Sequence, residues 1–170
     1  MTVARDLSLY LVRHAPAAER GSEWPDDTLR PLTPDGASRF KKIVAGMAAS
    51  GVEIDLIVTS PLVRCRQTAE ILAEGLRGRP RLIPADALAP GGGPAAVIAE
   101  LARVARRPRV ALVGHEPDLG QLAGRLLGLK RAPEFRKGGA CRIDVDGLPP
   151  GGPGLLVWFA PPRMLRRMAP

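Results

Sequence analysis

The chain has two histidines, and each stands at the end of an apolar run. Leu9-Tyr10-Leu11-Val12 runs into Arg13-His14, and Val110-Ala111-Leu112-Val113-Gly114 runs into His115-Glu116. Histidine, with an unperturbed pKa of about 6.5, can serve as nucleophile, base or cation near neutrality. Arginine presents a planar fork that matches two phosphate oxygens. A neutral imidazole can attack phosphorus and carry the phosphoryl group. Its other ring nitrogen must then be held by an acceptor, and flanking cations must stabilise the charge in transfer. That chemistry needs no metal, and no cofactor is expected.

Competing motifs fail on their spacing. His115-Glu116 begins like a zinc-protease signature, but Leu119 stands where the second histidine would be. The triple glycine 91–93 has no Gly-Lys-Ser/Thr after it and is no phosphate-binding P-loop. Cys65 and Cys141 give neither a disulfide framework nor a metal cluster, and read as small buried apolar residues.

The elements that position these residues follow from pattern. Leu7 to Val12 is a strand, and 16 to 32 is a long polar loop. Thr33-Pro34-Asp35 is a helix start: a capping hydroxyl, a proline suited to the first turn, and an acid at the positive end. That helix runs to about Ser50 and stops at Gly51. Asp55 to Thr59 is a second strand, and a helix from about Leu62 to Leu76 follows. Arg81 to Pro84 suits a short edge strand. Ala89 to Pro94 is a flexible loop. A helix over 94 to 106, a strand over 109 to 113 and a helix over 118 to 127 come next, then two strands, 140 to 145 and 155 to 159. The alternation predicts one α/β domain over residues 1–170, with a mainly parallel sheet and helices on both faces. Ligands of such sheets bind beyond the carboxyl ends of the strands. Arg13, His14, Ser60, Arg64 and His115 all fall on that rim.

The residues on the rim carry a resemblance. "LVRHA" resembles the Arg-His-Gly signature of the histidine phosphatase superfamily, with Ala15 in place of glycine. "VTSPLVRCRQTAE", Val58 to Glu70, is similar to its Ser-Pro-x-x-Arg-x-x-Gln-Thr signature. "LVGHEPDL" is similar to the stretch holding its second histidine. "LRPLTPDG", Leu29 to Gly36, resembles the short bacterial phosphohistidine phosphatases of the SixA type. The four come in family order between residues 9 and 119. The resemblance implies a three-layer α/β/α, phosphoglycerate mutase-like fold and a phosphatase with a covalent phosphohistidine. It implies His14 as nucleophile, Arg13 and Arg64 as grips on the phosphoryl oxygens, and His115 as a cation or hydrogen-bond donor. Arg30 is expected to approach substrate. A proton donor is sought in Asp86 or Glu116. Ala15 implies that its turn uses ordinary dihedrals.

Net charge is +8, but only four of the 25 basic residues are lysine, and Ala, Gly and Pro abound. That reads as a compositional bias, partly serving an anionic substrate. Aromatics at 4% give no stacking platform, so no nucleic acid is expected. No apolar run could span a bilayer and no leader is evident, so no membrane and a cytoplasmic location are expected. The basic tail Arg163 to Arg167 reads as a solvated end. The implied partner is a phosphorylated protein, such as a histidine phosphotransfer domain, or a small phosphorylated substrate. The alternative is a module that binds phosphate in the same pocket without turnover.

Overall fold

The computed structural model describes residues 5–170. Strands β1 (Leu7–Arg13), β2 (Leu56–Thr59), β3 (Arg81–Pro84), β4 (Arg109–Gly114), β5 (Ala140–Val145) and β6 (Leu155–Ala160) form one sheet in the order β3-β2-β4-β1-β5-β6. The first four in that order are parallel, and β5 runs antiparallel to both its neighbours. On β1 the residues Leu9 to Val12 run without a polar break because both faces are covered. Tyr10 and Val12 point into one core and Leu9 and Leu11 into the other, as period-two alternation dictates.

Helices α1 (Pro34–Ala49) and α2 (Val63–Gly75) supply Phe40, Ile43, Met47 and Leu72 to the first core. Helices α3 (Gly93–Val104) and α4 (Asp118–Leu127) supply Val97, Leu101, Leu119 and Leu122 to the second. Thr33 caps α1, its hydroxyl accepting from Gly36 N at 2.9 Å. The expected three-layer arrangement is thus present.

Two readings change. The basic tail is not a solvated end: Pro162–Arg167 forms helix α5, and Leu165 packs into the first core beneath α1. Gly46 makes room for it, since a Cβ there would sit 1.9 Å from the Leu165 carbonyl. The 16–32 loop is also more ordered than its polarity implied. It holds a 3-10 turn at Asp27–Leu29 and a bridge from Ala17 to Leu32. At the sheet edge, β6 leaves Leu155, Leu156 and Val157 exposed, and Val157 is an extra residue in the pairing with β5.

Candidate active site

The register aligns Arg13 with Gly114 and Thr59 with Val113. The residues that follow, His14, Ser60 and His115, therefore emerge side by side from β1, β2 and β4. The two imidazoles lie 5.4 Å apart, centroid to centroid. A cavity of about 390 Å³ opens over them, lined by Arg13, His14, Arg30, Arg64, His115 and Glu116 among others.

His14 is buried, and its Nδ1 lies 2.7 Å from the carbonyl of Ala15. A carbonyl only accepts, so Nδ1 carries the proton and Nε2 keeps its lone pair. The turn that presents the ring is tied down on every side. His14 N donates to Gly114 O, Gly138 N donates to the carbonyls of Arg13 and His14, and Ala15 N donates to Thr68 Oγ1 at 3.1 Å. Thr68 in turn donates to Arg64 O at 2.7 Å, which locks α2 to the turn. Ala15 is not among the positive-φ residues, as its side chain implied.

Arg64, at 2% exposure, projects from the first turn of α2. Its Nη1 donates to Asp27 O at 2.9 Å and its Nη2 pairs with Asp27 Oδ2 at 3.1 Å. Arg13 Nη1 donates to Phe135 O at 2.6 Å. The Nε of each guanidinium is buried without a hydrogen-bond partner among the described residues. Buried polar groups are normally satisfied, so two orphaned cationic donors beside one cavity fit an anion. Arg30 is buried at the mouth, held by Asp27 Oδ1 at 2.9 Å and Ala18 O at 2.7 Å.

The electrostatics favour neutral imidazoles. Burial, with Arg64, Arg13 and Lys137 nearby, pulls His14 down to about 4. Burial, with His14 and Arg64, pulls His115 to about 3. In the free protein these shifts favour a neutral, hydrogen-bonding His115 over a cation. Its Nε2 lies 2.8 Å from Ser60 Oγ.

The carboxylates separate. Glu116 lines the cavity, its Oε1 accepting from Gly120 N at 2.9 Å, and burial raises its pKa. Asp86 is exposed in a 3-10 turn after β3 and does not line the cavity. Sequence reasoning missed Asp27, which binds Arg20, Arg30 and Arg64 at once. The Arg30 hydrogen bond, with Arg64 and Arg20 close by, holds it below the usual carboxylate range. It sits three residues before Arg30, in a loop with no periodic pattern to mark it. The segment 135–139, which braces Arg13 and His14, carried no signal either. Cys65 and Cys141 are buried, and burial pushes both thiols up to about 12.

Comparison with known proteins agrees with this geometry. The sequence pattern of the histidine phosphatase superfamily (branch 1) matches residues 9–88. An uncharacterized protein of Picosynechococcus sp. is 40% identical over 151 residues, 82% of this chain and 90% of its own. The phosphohistidine phosphatase SixA of Escherichia coli is 25% identical over 164 residues, 94% of this chain and 97% of its own. The solved structure of the protein histidine phosphatase SixA complexed with tungstate superimposes with a TM-score of 0.81 at 24% identity, over 92% of this chain and 98% of that one. The fold is thus that of the phosphoglycerate mutase-like phosphatases. With sequence pattern, relatives and architecture in agreement, the chain belongs to the histidine phosphatase superfamily, in its short SixA-type branch, and is a phosphatase that works through histidine.

Proposed function

We propose that the protein hydrolyses phosphohistidine in a protein, or a small activated phosphorylated molecule, through a phosphoryl group carried on Nε2 of His14. The observation that carries this reading is the 2.7 Å contact from His14 Nδ1 to the Ala15 carbonyl, which leaves the Nε2 lone pair free beside two unpartnered arginine donors. In the first step Nε2 attacks phosphorus, the bond to the leaving group breaks, and the leaving group departs with that electron pair. In the second, water attacks phosphorus, the P–Nε2 bond breaks, and inorganic phosphate leaves with His14 neutral again. Arg13 and Arg64 hold the phosphoryl oxygens through both steps.

A protonated imidazole leaves readily and needs little acid help, which supports a phosphohistidine substrate. For poorer leaving groups Glu116, which lines the cavity as Glu19 also does, has a raised pKa that suits it to donate a proton. Whole-length similarity to the E. coli phosphohistidine phosphatase supports the same substrate class. Steady-state phosphate release from a phosphorylated histidine phosphotransfer domain, an aryl phosphate and a phosphoserine peptide tests it, with EDTA present throughout. The expected order is phosphohistidine first. Acid-labile label should be trapped on His14, and His14→Ala should lose several decades of turnover. Label on His115, or tight phosphate binding without release, would sink it; the latter is the binding-module reading.

A further inference from the structure

Ser60 directly follows β2, beneath the cavity-lining His115, and is fully buried. Its backbone N–H donates to Val113 O at 2.9 Å, so the residue is fixed to β4, the strand that carries His115. Its hydroxyl lies 2.8 Å from Nε2 of His115, and Leu62 N approaches the same oxygen at 3.4 Å. Cys65 Sγ lies 3.4 Å from Nε2 and 3.9 Å from Nδ1 of the same ring.

A neutral imidazole has one N–H and one lone pair, and the Ser60 hydroxyl has one proton. If Nε2 carried the ring proton, it would donate to Ser60 Oγ. The serine proton would then need another acceptor, in a site where Leu62 offers only an N–H and Cys65 a weakly accepting sulfur. If Ser60 donates to Nε2, the serine proton has an acceptor, its oxygen accepts from Leu62 N–H, and the ring proton sits on Nδ1. Nε2 is in either case committed to Ser60, which leaves Nδ1 as the ring nitrogen for a ligand. A lone pair there would repel an anion, whereas an N–H would bind it.

We propose that Ser60 is a positioning residue whose hydroxyl donates to Nε2 of His115, fixing the ring as the Nδ1–H tautomer, so that a neutral His115 offers one oriented donor to a phosphoryl oxygen. The tautomer is a property of the free protein; its use toward phosphate rests on the phosphatase reading above. His14 and His115 then share one tautomer for different reasons. In His14 the Ala15 carbonyl draws the proton to Nδ1 and leaves Nε2 as nucleophile. In His115 the Ser60 hydroxyl holds Nε2 and turns Nδ1 into a donor.

Long-range ¹H–¹⁵N correlation spectra of histidine-labelled protein read this directly, because the chain holds two histidines, and His14→Asn assigns them. Both rings are expected as Nδ1–H in the wild type at neutral pH. In Ser60→Ala, His14 should stay Nδ1–H while His115 shifts towards Nε2–H. The same variant should lose roughly tenfold or more in kcat with a smaller change in KM, as expected for a donor that tightens on the transition state. An Nε2–H signal for His115 in the wild type overturns the proposal without any variant. So does a Ser60→Ala spectrum in which His115 keeps its wild-type tautomer, or an unchanged kcat. A wild type with the expected tautomers and no phosphate release would count against the phosphatase reading instead.

Discussion

His14 is held neutral by its surroundings, and this fixes where activity fails in acid. Burial, then the positive charges of Arg64 and Arg13, lower its pKa to about 4. Protonation removes the lone pair, so kcat/KM of the free enzyme should fall with a midpoint near pH 4, not near the unperturbed value of about 6.5. Rates measured from pH 3.5 to 8, corrected for the ionisation of an acid-stable aryl phosphate, check this. A midpoint above pH 6 would mean an open, solvated imidazole. Asp27 acts at the same scale through the arginines of the pocket. It orients both Arg64 and Arg30, and its lowered pKa makes it a poor proton donor. Asp27→Asn keeps one acceptor and loses the charge. The expected result is a drop of about tenfold in kcat/KM, because two guanidinia lose a charge-assisted partner. The acid limb should not move with it.

Elements place these residues through side chains that have no chemistry of their own. Thr68 joins α2 to the nucleophile turn, accepting from Ala15 N and donating to Arg64 O. Its neighbour Gln67 accepts from Leu32 N at 2.8 Å and so holds the loop that carries Arg30. Thr68→Val keeps the shape and strands the Ala15 N–H in a buried site. It should cost about 1–3 kcal/mol in a urea titration, and kcat should fall further than the lost stability explains, since His14 and Arg64 lose their common tie. These pairings show what could be read from sequence. The Gln-Thr of the second signature was visible as a motif, but its partners lie about 35 and 53 residues away and no local pattern links them. The strands and the five rim residues were legible because apolar runs that break on a polar residue mark strand ends. Gly36 was visible as a letter, and only packing explains it: a Cβ there would meet the Pro16 carbonyl at 2.1 Å. Helix α5 was hidden because one buried residue, Leu165, anchors a segment that is otherwise basic.

For the molecule as a whole, two buried neutral histidines make stability depend on pH. The folded pKa values, about 4 and about 3, lie below those of the unfolded chain. The unfolded state therefore binds protons first as pH falls. The stability is fully present above about pH 6.5 and is lost progressively through pH 6 to 4, with a slope of up to about 1.4 kcal/mol per pH unit for each histidine. The lowered carboxylates Asp27 and Asp55 add their own loss only as pH falls towards their folded pKa values, further into acid. Urea midpoints at half-unit steps from pH 7.5 to 4.5 should show the decline, and the double variant His14→Asn, His115→Asn should flatten it. A wild-type curve already flat over that range would mean that the rings are charged in the fold.

The bulge at Val157 has a consequence for colloidal behaviour. An uncharged strand rim, Leu155 to Phe159, is a template on which another chain could grow a sheet. The unpaired residue breaks the even spacing of backbone donors and acceptors along that rim, so an incoming strand cannot match it throughout. Deleting Val157 would restore the spacing and leave the site at the far side of β1 untouched. Light scattering at rising protein concentration should then show aggregates for the deletion at concentrations where the parent protein stays dispersed. Equal scattering from the two would mean that the +8 net charge, not the irregular edge, keeps the molecules apart.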